Sequence, residues 1–366
     1  MTDTLRRVAL TAVTGLGLCL TLLPAGQANA QPTTRIPCND VAALKAAITT
    51  ANTSGGTITL APHCVYTLTQ ADNPDDGLPE ITGNVRIHGD HTTIQRNSAE
   101  SFRIFHVRQG GTLSLHSVTV RFGETTLVSS NGGGIFNDRG TLHLTDATVR
   151  SNRAGTGGGV WNQLGTLTLK NTAVRENRAA FGGGVATNGT MTMEGGTLSE
   201  NTSAFWGGGL ANAGKTTLNH VSVKDNDSGE LGGGILTLAI NNTTGPLRLD
   251  STQVKGNIAG TDGGGILTGS NEPTTLHRST VTRNTANGGP TAGGGIENSG
   301  RLLGLFIGTN STSTKKENTD DSVKLTPHTV TLIKSTVVKN TPTNCAPPGS
   351  VPGCDTGGHA PPTKKP

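Results

Sequence analysis

Aromatic residues make up 3% of this 366-residue chain, seven Phe, two Trp and one Tyr, and methionine occurs three times. A conventional globular core built around large rings is therefore excluded. The hydrophobic fraction is also low, at 32%. Such a chain either stays disordered or packs small aliphatic side chains in a regular stack. After the first thirty residues no long apolar run occurs, so no membrane span is expected.

Those first thirty residues read as an export signal. Arg6 and Arg7 precede an apolar run from Val8 to Leu23, and Ala28-Asn29-Ala30 offers a small-residue cleavage site before Gln31. Cys19 follows Leu18 inside this run, which does not make a lipoprotein cleavage site. Removing the segment lowers the net charge from +4 to +3, a mild excess that marks out no partner, nucleic acid included. The expected location is extracellular or wall-associated.

Four cysteines remain, Cys38, Cys64, Cys345 and Cys354. An even number in an exported chain, grouped in two pairs at opposite ends, suggests Cys38–Cys64 and Cys345–Cys354 staples. Metal binding is the competing reading. The histidines show no ligand spacing relative to these cysteines.

What the chain has in abundance is glycine, 53 residues, and it is periodic. Triplets begin at Gly132, Gly157, Gly182, Gly207 and Gly232, each 25 residues after the last, then at Gly263 and Gly293 after steps of 31 and 30. A fixed period of this size means stacked repeats. Between triplets the apolar positions align: Leu142, Leu144 and Val149 correspond to Leu167, Leu169 and Val174, then to Met191, Met193 and Leu198. Alternation at period two puts these columns inside and their polar neighbours outside. Each repeat reads as a coil of three short strands, exemplified by GGVWN, TLTL and TAVRE, with glycine at the corners. The expected fold is all-β, a single-stranded parallel β-helix of about ten coils.

Two asparagine-rich columns accompany the strands. Asn152, Asn177, Asn201, Asn226, Asn257, Asn284 and Asn340 form one; Asn137, Asn162, Thr187, Asn212, Thr237, Thr268 and Asn298 form the other. They read as ladders of side-chain hydrogen bonds between coils. At the N-terminus, Val41, Leu44 and Ile48 have helical spacing behind a potential N-cap, Asp40, so a short helix is expected to cover the end of the stack. The expected organisation is a signal at 1–30, a cap helix and first coil at 31–82, repeats at 83–340 with an insertion at 299–327, and a Cys/Pro/Gly-rich tail at 341–366.

The triplets paired with VRSN, VREN, LSEN, VKDN and VKGN resemble the repeats of bacterial polymorphic outer-membrane proteins. More broadly, together with the opening AAITTANTSGGTITLAPHCVYTLT, the chain resembles secreted bacterial proteins of the pectin-lyase-like superfamily. That resemblance implies a right-handed β-helix, and it covers residues 38–340. Here Gly replaces the Ala of the family triplet, Val or Leu replaces its Phe, and no membrane barrel follows.

Relatives with this fold include lyases and hydrolases of acidic polysaccharides, which suggests where to look for chemistry. Asn318-Thr319-Asp320-Asp321 matches the start of the polygalacturonase-like pattern, yet no Gly-His-Gly or Arg-Ile-Lys follows. Glu176, Glu200 and Asp225 share one column in three successive coils, and Arg150, Arg175, Lys224 and Lys255 occupy the column before it. Stacked carboxylates about 5 Å apart repel unless neutralised. They either hold Ca²⁺ with Asp227 nearby or form surface ion pairs. Phe136 and Trp161 share another column, and Phe181, Phe205 and Trp206 precede triplets; these rings are either a platform for sugars or corner packing. Two functional classes follow. One is a non-catalytic scaffold for an extracellular polysaccharide or cell-surface partner. The other is a lyase or hydrolase of a uronate polymer, with Arg150, Arg175 or Lys224 as candidate base.

Overall fold

A computed structural model describes residues 33–125, 131–238, 245–269, 272–298, 329–355 and 357. The export signal, the 299–327 insertion with its Asn318–Asp321 motif, and residues 358–366 lie outside the described residues.

Between Thr33 and Ala346 the chain is a parallel β-solenoid of about nine turns, every strand pairing with its equivalent in the neighbouring coil. The register is that of the repeat: Leu167 lies opposite Leu142 and Met191, and Val174 opposite Val149 and Leu198. These side chains are all fully buried. Each contributes roughly 2 kcal/mol by leaving water, and repetition multiplies a contribution that no aromatic core supplies.

The coil differs in one respect from the expected three strands. Segments equivalent to TLTL and TAVR lie in one 17-stranded sheet, bent between them by a residue of positive φ such as Asp146 (49°) or Asn171 (45°). A further short segment, Arg178–Phe181 and its equivalents, forms a separate six-stranded sheet, and the post-triplet segments form a nine-stranded one. The six-stranded sheet turns small residues inward, among them Ala179, Ser203, Ser228 and Ala259, all buried. Strands of two to five residues leave too little alternation to be read in sequence.

Glycine meets two distinct demands. Gly157 has φ 63°, and a Cβ there would lie 2.4 Å from the Val160 carbonyl oxygen; Gly158 has no such torsion, but its Cβ would lie 2.4 Å from the Gly183 oxygen of the next coil. The first glycine makes the corner and the second admits the neighbouring backbone.

The first asparagine column is a continuous ladder. From Asn152 to Asn284 each Nδ2 donates to the Oδ1 of the next asparagine in the column at 2.9–3.0 Å, and Asn340 ends the series by donating to Asn344 at 3.2 Å. Each Oδ1 also accepts the backbone N–H of the preceding asparagine, and each Nδ2 also reaches an interior carbonyl such as that of Leu198 or Val174. All these amides are buried and satisfied. The second column is interrupted: Asn137 donates to Asn162 and Asn162 to Thr187, but Asn137 Oδ1 and Asn212 Nδ2 are buried without partners.

The ends are closed by different devices. A helix, Val41–Ser54, begins where Asp40 accepts the Ala43 N–H at 2.9 Å, and it buries Leu44, Ala47, Ile48 and Ala51 against the first coil. Asn52 ties it to that coil through Glu80, Thr82 and Gly83. Both disulfides form, Cys38–Cys64 and Cys345–Cys354. Cys345 lies in a strand, Thr343–Ala346, that pairs with Gly293–Glu297 inside the stretch read as tail. No helix among the described residues is long and apolar enough to cross a membrane.

Replacing Asn226 by Ala removes the acceptor of the Asn201 N–H and one of the two acceptors of its Nδ2, together with the amide that donates to the Leu198 carbonyl. Chemical denaturation should show a loss of about 3 kcal/mol or more. Thr192→Ala, on the outer side of the coil that carries Asn201, should stay within about 0.5 kcal/mol of the parent. Equal losses for the two variants would contradict the ladder's role.

Candidate ligand-binding surface

The outer column of the nine-stranded sheet runs through His106, Phe136, Trp161, Ala186, Ala211, Leu236 and Leu267, each opposite the next. An outward position on a strand is ordinarily exposed. Here the glycine corner folds the preceding segment over the column, and a Cβ on Gly182 would meet that of Ala186 at 2.8 Å. Phe136 and Trp161 are accordingly 8% and 2% exposed. They belong to a second apolar cluster outside the solenoid interior, which is the corner packing that stood as the alternative to an exposed platform. Trp161 Nε1 is spent on Gln163 at 3.3 Å.

Trp206 is placed differently. The step from the ladder asparagine to the first triplet glycine is five residues at Asn152–Gly157 and Asn177–Gly182, and it lengthens to six beginning at Asn201–Gly207, as again at Asn226–Gly232 and Asn257–Gly263. The pairing of Arg178–Phe181 with Thr202–Trp206 consequently contains a bulge, with Phe181 opposite Trp206 and Phe205 displaced outward. Phe181 lies 5.4 Å from Phe205 and 5.3 Å from Trp206, both in tilted geometry. Phe205 is 41% exposed and the other two rings are half-buried. Trp206 Nε1 donates to Glu230 Oε2 at 2.9 Å, which fixes the indole against the apolar column. Three rings from two successive coils therefore share one surface, with a carboxylate at its edge.

Glu176, Glu200 and Asp225 also occupy corners, each with φ near 55°. Glu176 pairs with Arg175 and with Arg150 at 3.7 Å, and accepts the Ser151 hydroxyl at 3.0 Å. Asp225 has Lys224 at 4.0 Å. Arg150 and Arg175 thus compensate Glu176, and Lys224 stands beside Asp225. The described residues contain two groups offering three ligand atoms within 4.8 Å of one another, and neither includes Glu176, Glu200 or Asp225.

One of those groups is a cluster the sequence reading missed. Asp76, almost fully buried, accepts from Arg103 Nη1 at 3.0 Å and faces His106 Nδ1 at 3.4 Å. Glu80 lies 3.5 Å from the same nitrogen and 3.6 Å from Arg108. His106 stacks on Phe136 at 4.8 Å, and Arg103 lies over the same ring at 5.3 Å. Asp76, Glu80, His106 and Arg108 line a cleft of about 500 Å³ together with the 72–75 loop. A signal existed: aligning Phe105 with Ile135 puts Phe102-Arg103-Ile104 where later coils carry three glycines. Arginine in a triplet position and histidine in the aromatic column depart from the repeat.

A second ionic centre lies on the outer face of the 17-stranded sheet. Asp250 receives His277 Nδ1 at 3.0 Å, Arg248 at 3.1 Å, Arg278 at 3.4 Å and the Ser251 hydroxyl at 3.0 Å. The hydrogen bond from His277, aided by those from Ser251 and Arg278, holds this carboxyl far below the usual carboxylate range. So saturated a carboxylate is an ion-pair hub and a poor general base.

No family model matches the chain, and no curated protein or solved structure matches it.

Because its folded-state value is depressed, Asp250 contributes stability that is complete above the ordinary carboxylate value and is lost as pH falls toward the folded one. Thermal melts below about pH 4 should therefore show a shallower decline for Asp250→Asn than for the parent. An identical acid limb would remove this role.

Proposed function

We propose that the protein is an exported, non-catalytic scaffold that binds polysaccharide through the Phe181, Phe205 and Trp206 surface. The observation that carries this reading is the bulge, where one residue more than in the preceding coil leaves three rings clustered at the surface; of the other aromatic side chains described, Phe102, Phe105, Phe136, Trp161 and Tyr66 are buried, and the comparably exposed Phe122 stands apart from this cluster. The faces of sugar rings present C–H groups that pack on aromatic faces, while hydroxyls need nearby acceptors. Glu230 supplies such an acceptor at the platform's edge. A rigid solenoid holds the rings at fixed spacing, so little ordering is lost on binding. Export is supported by the arginine-led apolar start and by two disulfides. The pectin-lyase-like resemblance supports a carbohydrate ligand, since it rests on the same repeats that build the scaffold.

A second reading, an enzyme acting on a uronate polymer, is favoured by the one place where acidic and basic groups converge in a cleft, at Asp76, Glu80, His106 and Arg108. There Glu80 is the more accessible carboxylate, whereas Asp76 is tied to Arg103.

The test is binding to a panel of extracellular polysaccharides, measured by affinity electrophoresis and calorimetry on the tag-free mature chain. Trp206→Ala and Phe205→Ala should each weaken binding about thirtyfold, on the order of 2 kcal/mol, with melting temperature checked in parallel. Binding unaffected by both variants would sink the platform. Appearance of unsaturated sugar products, abolished by Glu80→Gln, would replace the scaffold reading with the enzymatic one.

A further inference from the structure

The second group of gathered ligand atoms lies in the first coils, at His63, Asp90 and His91. His63 and His91 occupy the same corner column in successive coils, with φ 53° and 51°. The two coils are locked in register there, because His63 N–H donates to the Asp90 carbonyl at 2.8 Å and Thr93 N–H donates to that of Cys64 at 2.8 Å. Cys64, next to His63, is also bonded to Cys38. The two imidazoles consequently leave the backbone from equivalent points and stack with centroids 5.1 Å apart and planes 14° apart. Asp90 Oδ1 lies 2.7 Å from His91 Nδ1.

We propose that His63, Asp90 and His91 form a binding site for a late first-row divalent cation, Zn²⁺ above all. Two donors that each bind Zn²⁺ at about 2.1 Å in a tetrahedral shell stand roughly 3.4 Å apart, so the 2.7 Å Asp90–His91 hydrogen bond opens only slightly to admit the ion. The His63 ligand atom lies within 4.8 Å of both. Rotation of exposed rings closes that gap without moving backbone, since the His91 and Asp90 side chains are 79% and 63% exposed. Exposure also leaves room for water to complete a tetrahedral shell.

The ligand set decides which metal. Two imidazoles with one carboxylate suit Zn²⁺, Cu²⁺ or Ni²⁺, whereas Ca²⁺ and Mg²⁺ prefer oxygen alone. Charge distinguishes this group from the cluster at Asp76. There Arg103 and Arg108 already pair with the two carboxylates. Asp90 has no lysine or arginine partner among the described residues, and its one ion-pair contact is His91. A cation entering this corner displaces only a proton from the Asp90–His91 hydrogen bond.

The experiment is calorimetric titration of the tag-free mature protein with ZnCl₂, with MgCl₂ and CaCl₂ as separate titrants. Expected are one Zn²⁺ per chain and no comparable binding of Mg²⁺ or Ca²⁺. His63→Ala and His91→Ala should each lower Zn²⁺ affinity by about tenfold or more, while His220→Ala at an equivalent corner of a later coil leaves it unchanged. Metal-free melting temperatures of the variants should match the parent, because these side chains are exposed. Absence of Zn²⁺ binding, or affinity lost equally with His220→Ala or unchanged by His63→Ala and His91→Ala, would overturn the assignment. Neither result bears on polysaccharide binding at Trp206, which is measured separately.

Discussion

Hydrogen-bonded parallel strands stand about 4.8 Å apart, and in a solenoid that spacing is imposed on every residue and its equivalents in the coils on either side. Each side chain must be compatible with a near-copy of itself one coil away. Apolar columns meet the condition by packing, as Leu169 on Met193. Asparagine meets it by bonding to asparagine, donor to acceptor, so a buried polar column becomes satisfied through repetition alone. Glycine meets it where backbone approaches backbone and no Cβ fits.

Charge meets the condition poorly, and the structure shows how the difficulty is removed. Glu176 has Arg150, Arg175 and Ser151 around it, so its charge is compensated within the corner. Asp250 collects four partners on the sheet face. The acid–base cluster at Asp76 arises in the early coils, where the repeat lapses and Arg103 replaces a triplet glycine. The aromatic surface likewise depends on a change in the repeat, the point before Gly207 where the step from asparagine to triplet lengthens by one residue and the pairing bulges. The candidate sites at Asp76 and at Trp206 are thus places where the repeat is broken, and the corner at His63 and His91 is one where a repeated position received unusual residues.

Much of this was legible in the chain. The glycine period, the aligned Leu, Met and Val columns, the first asparagine ladder, the cap behind Asp40 and both cysteine pairs were all readable, because each depends on contacts between equivalent positions. The short six-stranded sheet was not, since Ala179 and Ser203 carry no hydrophobic signal. Nor was the strand at Thr343–Ala346, hidden in a Pro- and Gly-rich stretch.

The sequence by itself determined the stack and its period, since local alternation and repetition are properties of the chain that need no knowledge of path. Only the tertiary structure decided which outward residues stay outward. Phe136 and Trp161 are buried and Phe205 is not, although all three stand in or beside the same corner of the repeat. Exposure at a corner depends on how the chain folds across it: Phe136 and Trp161 follow their triplets and are covered, whereas Phe205 precedes its triplet on the bulged segment and faces solvent.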